Sequence, residues 1–283
     1  MSLTPDLVFA SVRAALDEDI GTGDVTSVAT VPESTRAAAL MRAREILVPA
    51  GLDLAEAAFR ALSAEAQVTR MAQDGSRVAA GMALLRVEGP ARALLSAERV
   101  ALNFVQRLSG IASLTAQFVE AIQGTGARIL DTRKTTPGWR RLEKYAVTCG
   151  GGANHRLGLY DMVLIKDNHL AALRDASPNP IVAAIERARS QFPGLKIEVE
   201  ADTLEQVEQA LEARPDFILL DNMNPVQLRL AVQKCNGRTL TEASGGVTLG
   251  TVRTIAETGV DFISVGALTH SARAVDIALD FEP

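Results

Sequence analysis

Beyond Gly126 the sequence settles into one repeated rhythm, and that rhythm limits the fold more than any other feature. Short apolar runs at 128–130, 162–165, 197–199, 217–220, 240–243 and 262–265 alternate with helical patterns near 139–149, 180–191, 204–213, 225–234 and 249–258. Strands separated by helices imply a parallel sheet. No GxGxxG motif follows the first of these strands, so the count favours an α/β barrel over the alternative, a Rossmann sheet.

The preceding part reads differently. Thr4-Pro5 followed by Leu7, Val8, Val12, Leu16 and Ile20 predicts an N-capped amphipathic helix that Gly21 and Gly23 end. Residues 34–88 carry short apolar runs broken by Pro49-Ala50-Gly51, Asp74-Gly75 and Gly81, which predicts strands with one helix near 52–62. A long helical pattern spans 90–122, with a possible break at Gly110. The expected division is therefore an N-terminal domain at 1–115, including this connecting helix, and a barrel domain at 116–283 that carries the active site.

The 283 residues are 47% hydrophobic, enough for one large core or two smaller ones. A net charge of −5 and an aromatic content of 4% argue against nucleic-acid or anionic-membrane partners. No stretch approaches the roughly 18 consecutive apolar residues that span a membrane. No basic leader precedes an apolar run, and the two cysteines, Cys149 and Cys235, read as reduced thiols, so a cytoplasmic location is expected.

Reactive residues recur at one structural place, the C-terminal end of each expected strand. The runs lead into Asp131-Thr132-Arg133-Lys134, Lys166-Asp167-Asn168-His169, Glu200, Asp221-Asn222, Ser244-Gly245-Gly246 and Gly266. Parallel barrels place their active sites at that face. One such residue alone would be a helix cap or a surface charge, but six in succession are hard to assign to caps.

Charge points the same way. Between Arg128 and Asn168, eight basic residues face four acidic ones, so this segment is +4 and the remainder carries −9. A basic pocket in an acidic chain suits a small, multiply charged anion. Arg140, Arg141 and Lys144 crowd one short helix and read as its solvated face, whereas Arg133, Lys134 and Lys166 flank apolar strands. Guanidinium forks match planar carboxylates and lysine offers phosphate a point charge.

Ser244-Gly245-Gly246 before Thr248-Leu249 resembles a phosphate cradle. Glu200 and Asp221 could hold Mg²⁺ through water, contact ribose hydroxyls, act as acid and base, or pair with the basic residues. His155 follows Gly150-Gly151-Gly152 in a loop that core packing does not require, and His169 has an equal reading as a helix N-terminal residue. No H-x-x-x-H or C-x-x-C spacing exists for zinc, and Cys149 has no recognisable histidine partner, so it reads as a small buried residue.

Asp131-Thr132-Arg133-Lys134-Thr135-Thr136-Pro137-Gly138 resembles the signature loop of quinolinate phosphoribosyltransferases. Similar blocks are Glu18-Asp19-Ile20-Gly21-Thr22-Gly23-Asp24, Glu143-Lys144-Tyr145-Ala146-Val147, Gly150-Gly151-Gly152-Ala153-Asn154 with His155-Arg156-Leu157-Gly158-Leu159, and Leu164-Ile165-Lys166-Asp167-Asn168-His169. Glu198-Val199-Glu200, Leu219-Leu220-Asp221-Asn222, Glu242-Ala243-Ser244-Gly245-Gly246 and Ser264-Val265-Gly266-Ala267-Leu268-Thr269-His270 complete a series that covers essentially the whole chain.

The resemblance implies an N-terminal α/β sandwich followed by an incomplete parallel α/β barrel, the type II phosphoribosyltransferase fold. It implies a homodimer or higher oligomer with shared sites. Arg133, Lys134, His155, Arg156 and Lys166 then match the pocket for quinolinate's carboxylates and for pyrophosphate. Glu200 and Asp221 match residues facing ribose and Mg²⁺. Ser244, Gly245, Gly246 and Gly266 match the 5′-phosphate site, and His270 falls in the last matching block as a further substrate-binding candidate. Arg99, in Glu98-Arg99-Val100-Ala101-Leu102-Asn103, matches an arginine that reaches into the partner's site. Lys134, Lys166, Glu200 and Asp221 are the expected catalytic set. Three other readings stand beside this one: a molybdenum-transport pyrophosphorylase-like paralogue, a direct nicotinate or nicotinamide phosphoribosyltransferase, and a non-catalytic barrel for a phosphorylated metabolite.

Overall fold

The computed structural model describes residues 2–282. In chain order its elements begin with α1 (Pro5–Ile20), α2 (Val25–Thr30), β1 (Arg36–Ala43), α3 (Leu52–Leu62), β2 (Gln67–Arg70), β3 (Ala83–Pro90) and α4 (Ala91–Ala121). There follow β4 (Arg128–Leu130), α5 (Arg140–Cys149), β5 (Val163–Ile165), α6 (Asp167–Ala171), α7 (Pro180–Gln191), β6 (Ile197–Ala201), α8 (Leu204–Ala213) and β7 (Phe217–Asp221). The last are α9 (Pro225–Cys235), β8 (Leu240–Ser244), α10 (Val252–Ala256), β9 (Phe262–Ser264), α11 (Ala267–His270) and β10 (Ile277–Phe281).

The chain forms two compact units, and neither is continuous in sequence. One comprises Met1–Ala116, Thr136–Gly151 and Leu268–Pro283; the other comprises Gln117–Thr135 and Gly152–Ala267. A single cut between 115 and 116 falls one residue from the first crossing, but it misassigns α5 and β10. Strand–helix rhythm alone cannot reveal this, because α5 follows a strand as any barrel helix would.

In the first unit an antiparallel sheet has the order β10-β1-β3-β2. Alternate residues of β1, namely Ala39, Met41 and Ala43, are fully buried, the period of a strand with one face against a core. Thr4 Oγ1 accepts the Leu7 N–H at 3.3 Å and caps α1, with Pro5 in the first turn. The long helix α4 runs unbroken for 31 residues through Gly110. A Cβ at that position would lie 1.9 Å from the Arg273 carbonyl oxygen, so this glycine serves close packing and does not end the helix. Lys144 on α5 is fully buried, which corrects its assignment to a solvated basic face. Its buried neighbour Glu143 takes hydrogen bonds from Arg107 Nη2 at 3.2 Å and Thr136 Oγ1 at 2.8 Å.

In the second unit six parallel strands take the order β4-β9-β8-β7-β6-β5. β4 and β5 do not pair with each other; a single parallel bridge joins Leu130 to Ala153 on the outer side of β4. This is a barrel left open between its first two strands. Side-chain caps start the helices where strands hand over to loops. Asn179 Oδ1 receives the Val182 N–H at 2.9 Å, and Thr203 with Gln206 and Asn224 with Gln227 form capping boxes. The helix expected from Leu249 begins only at Val252 and ends at Ala256.

Candidate active site

At the carboxyl ends of these strands lies a cavity of about 230 Å³. Arg133, Lys134, His155, Arg156, Lys166, Glu200, Asp221 and Ser244 line it together with Thr132, Leu164, Leu219, Glu242 and Ser264. A larger cavity of about 550 Å³ lies at the opposite strand ends. Two of its arginines are committed to helix C-terminal carbonyls: Arg189 to Ala213 and Arg214, and Arg238 to Lys234 and Cys235. Its Lys196 is paired with Asp216 at 2.6 Å. That is the normal neutralisation of helix C-termini at the base of a barrel.

Asp131 follows β4 and is fully buried. Its Oδ1 accepts the His155 N–H at 2.9 Å and its Oδ2 accepts from Asn154 Nδ2 at 2.6 Å. It thereby ties the glycine-rich loop to the first strand and brings Arg156 beside Arg133. The Nε of Arg133 is buried without a hydrogen-bond partner. Arg156 donates from Nη1 to the Met162 carbonyl at 3.2 Å. Burial, and then the charge of Arg133, lower the Arg156 guanidinium below its usual value, against the pull of Glu198 and Asp161.

Across the cavity the carboxylates of Glu200, Asp202 and Asp221 lie within 4.8 Å of one another. Lys166 Nζ stands 3.7 Å from Glu200 Oε2. Burial pushes the Glu200 carboxyl up, the charges of Asp221, Asp167 and Asp202 add to this, and Lys166 opposes it. The ion pairing weighed for Glu200 is therefore present. Asp221 also accepts from Asn222 Nδ2 at 2.6 Å.

After Ser244 the chain turns through Gly245 at φ +96° and Gly246 at φ +59°. A Cβ on Gly245 would meet Asn222 Oδ1 at 2.1 Å, so only glycine lets this backbone come so close to the neighbouring strand end. Val252, where the shortened helix begins, is six residues beyond Gly246, so the cradle consists of loop backbone and its helix-dipole contribution is smaller than expected.

His155 is not on a free loop. Its side chain is only 8% exposed and sits against Glu198 and Glu242. The ring of His169 caps its own helix, accepting the Lys166 N–H at Nδ1 at 2.9 Å. Gly245, Gly246 and Gly266 follow strand ends beside the cavity without lining it. Arg99, on α4, and His270, at the end of α11, are both exposed and belong to the first unit. Sequence reasoning missed Asp202, Glu198 and Glu242 as site residues. The last two carried a signal, a carboxylate in the middle of a short predicted strand.

Two family models match the chain: the quinolinate phosphoribosyl transferase N-terminal domain over residues 24–109 and the C-terminal domain over 111–280. The chain belongs to the quinolinate phosphoribosyltransferase family. The nicotinate-nucleotide pyrophosphorylase [carboxylating] of Mycobacterium leprae is 46% identical over 276 residues, covering 95% of each chain. The probable enzyme of that name from Bacillus subtilis is 44% identical over 93% of this chain and 89% of its own. Among solved structures, NadC from Streptococcus pyogenes superimposes with a TM-score of 0.94 at 38% identity, covering 100% of both chains. The family likeness thus extends over both units, and it carries the open barrel and the antiparallel sheet with it.

Proposed function

We propose that this chain transfers the phosphoribosyl group of 5-phosphoribosyl 1-pyrophosphate to the ring nitrogen of quinolinate. Loss of the 2-carboxylate as CO₂ then gives nicotinate mononucleotide, with pyrophosphate as the other product. The observation that carries this is the Arg133–Arg156 pair. One guanidinium has a buried Nε without a protein partner, and the other is disfavoured by burial and then by the first one's charge. Such a pair is built for a small planar dianion, and two forked donors fit two adjacent carboxylates.

The protein's contribution is positioning and electrostatics. Arg133 and Arg156 hold the acid so that the ring nitrogen faces the sugar. Pyrophosphate leaves C1 as the nitrogen attacks, and charge builds on the sugar like that of an oxocarbenium ion, opposite Glu200 and Asp221. Lys134 and Lys166 offset the negative charge on the departing group. When the 2-carboxylate departs as CO₂, the electron pair stays on C2, stabilised by the adjacent positive ring nitrogen, and a proton from water then forms the C2–H bond of the product. The Gly245-Gly246 turn offers backbone N–H groups to the 5′-phosphate.

Three carboxylates within 4.8 Å of one another, with Lys166 Nζ 3.7 Å from Glu200, fit a divalent cation. Glu200 and Asp221 would hold Mg²⁺, through water, where it would neutralise pyrophosphate oxygens. Arg99, exposed on α4, completes the anion pocket of a second subunit in a homodimer or larger assembly. Among the described residues no helix is long and apolar enough to cross a membrane. A cytoplasmic setting agrees with two free cysteines whose thiols burial pushes up, Cys149 to about 12 and Cys235 to about 11.

The deciding experiment offers quinolinate, nicotinate and nicotinamide separately with phosphoribosyl pyrophosphate and follows CO₂ and pyrophosphate. Turnover with quinolinate alone is expected. Turnover with nicotinate, or tight binding with no turnover, would overturn the reading.

A further inference from the structure

The first unit holds a cavity that the transfer chemistry does not use. Its volume is about 470 Å³, and it lies between α1, α4 and the turn that leads into α5. Its lining includes the stacked rings of Phe104 and Trp139, with centroids 5.1 Å apart and 20° between their planes. Ser11, Glu18, Asp19 and Asn103 add polar groups. Among the described residues, neither these four side chains nor the Trp139 indole N–H has a hydrogen-bond or ion-pair partner. The cavity at the base of the barrel differs, because its Arg189, Arg238 and Lys196 are committed to carbonyls and to Asp216. A hollow with aromatic rings and free carboxylate acceptors fits an aromatic guest that carries an O–H donor.

The second unit carries such a group. Leu159 and Tyr160 are the most exposed of its large apolar side chains, at 74% and 70%. A scattered exposed leucine is ordinary, but two adjacent large side chains on a fixed loop mark a contact. The loop is fixed by Asp161, which accepts the Leu157 N–H on Oδ2 at 2.7 Å and the Gly158 N–H on Oδ1 at 2.9 Å. The Tyr160 ring lies so close to Gly158 that a Cβ there would meet it at 2.4 Å. A knob held in this way loses little conformational freedom when it is buried.

Arg99 indicates what the knob meets. It precedes the cavity-lining Asn103 by four residues on α4, and residues four apart share a helix face. A subunit that presents Arg99 to its neighbour therefore presents the rim of this cavity as well. We propose that the Leu159–Tyr160 knob of one copy seats in the α1–α4 cavity of a second copy, with the Tyr160 hydroxyl donating to Glu18 or Asp19. A two-fold axis makes the contact form twice, once in each direction. Leu159 and Tyr160 follow Arg156 by three and four residues, so the contact also anchors the loop that carries Arg156. The choice of partner rests on the reading of Arg99 as a residue shared between subunits.

Trp139 is the single tryptophan of the chain, so its emission reports on this cavity alone. The test compares the wild type with a Leu159→Asp/Tyr160→Asp double variant by mass measurement across a dilution series and by emission spectra. The dimer of the variant should dissociate about tenfold more readily or beyond, the effect of losing an interface anchor. Its Trp139 emission should move to longer wavelength as the ring meets water. Unchanged emission overturns the proposal, whether or not the dimer weakens. Should the double variant fail to fold, Ala14→Phe fills the cavity from an exposed position on α1 and should loosen the dimer in the same way. A folded Ala14→Phe protein with wild-type dimerisation overturns the proposal. Asn103→Cys and Tyr160→Cys, made in separate chains and mixed, should be joined by a short bismaleimide into a covalent dimer that neither gives alone. Linkage within one chain when both substitutions are combined overturns the proposal. If the emission shift and the cross-link are absent while mixed Arg99→Ala and Lys134→Ala subunits regain activity, the knob contact has failed and the shared site stands. If the cross-link forms and that mixture stays inactive, the knob contact stands and the reading of Arg99 has failed.

Discussion

The Lys166 ammonium stands 3.7 Å from the Glu200 carboxylate, at the ends of neighbouring parallel strands. The pair is loose, and the lysine is half exposed, so it holds the carboxylate without quenching the cluster around it. Lys166→Ala should lower kcat by about 10²–10³ fold, the size of effect seen when one preorganised charge-stabilising group is removed. The KM for quinolinate should change far less. Steady-state kinetics with each substrate varied in turn would check this, and a fall in kcat below tenfold would remove Lys166 from the catalytic set.

Arg133 makes a different demand. A charge-assisted hydrogen bond contributes about 1.5–3 kcal/mol, so Arg133→Ala should raise the quinolinate KM or Kd by roughly 10–200 fold. Arg133→Lys should recover only part of this, because lysine restores the charge and not the fork. Calorimetric titration of quinolinate into both variants measures the difference. Equal affinities for the lysine variant and the wild type would show that only the charge matters.

At Gly245 the φ of +96° and the 2.1 Å approach to Asn222 leave no room for a side chain. Gly245→Ala should cost about 2 kcal/mol, or about 4–8 °C in Tm for a unit of this size. The KM for phosphoribosyl pyrophosphate should rise more than that for quinolinate, since the turn follows the Ser244 end of the cavity. Calorimetry and the two KM values separate a purely structural loss from loss of phosphate contacts.

Arg99 is exposed on α4, in the unit that does not line the cavity. Arg99→Ala and Lys134→Ala should each be nearly inactive alone. Mixed under conditions that exchange subunits, they should recover roughly a quarter of wild-type activity, because half the dimers are mixed and each has one intact site. No recovery, with exchange shown independently by mass measurement, would mean that Arg99 serves its own subunit or none.

The barrel was legible because its signal is local and repeated: an apolar strand, a polar end, a capped helix. The ends of those strands named most of the cavity lining, from Arg133 to Ser244. Contacts between distant parts of the chain were not legible. Gly110 read as a break because glycine's local meaning is flexibility, whereas here it makes room for the Arg273 carbonyl. Lys144 read as solvated because nothing adjacent shows that its side of α5 faces inward. Glu198 and Glu242 lie 44 positions apart in the chain, and only the parallel pairing through β7 brings them to one histidine. Asp202 lies just past a strand end, in a place where a surface carboxylate is equally ordinary.

The antiparallel sheet closes on β10, whose Ile277 faces Ala43 and whose Phe281 faces Ala39. A ribosome delivers β1 early and β10 only after every strand of the parallel sheet. The first unit therefore cannot mature while the nascent chain is short: β1 waits with one edge bare, and the hydrogen bonds that satisfy it arrive last. In this protein the order of synthesis and the order of completion are reversed, and the second unit, although later in the chain, has all its strands before the first one does.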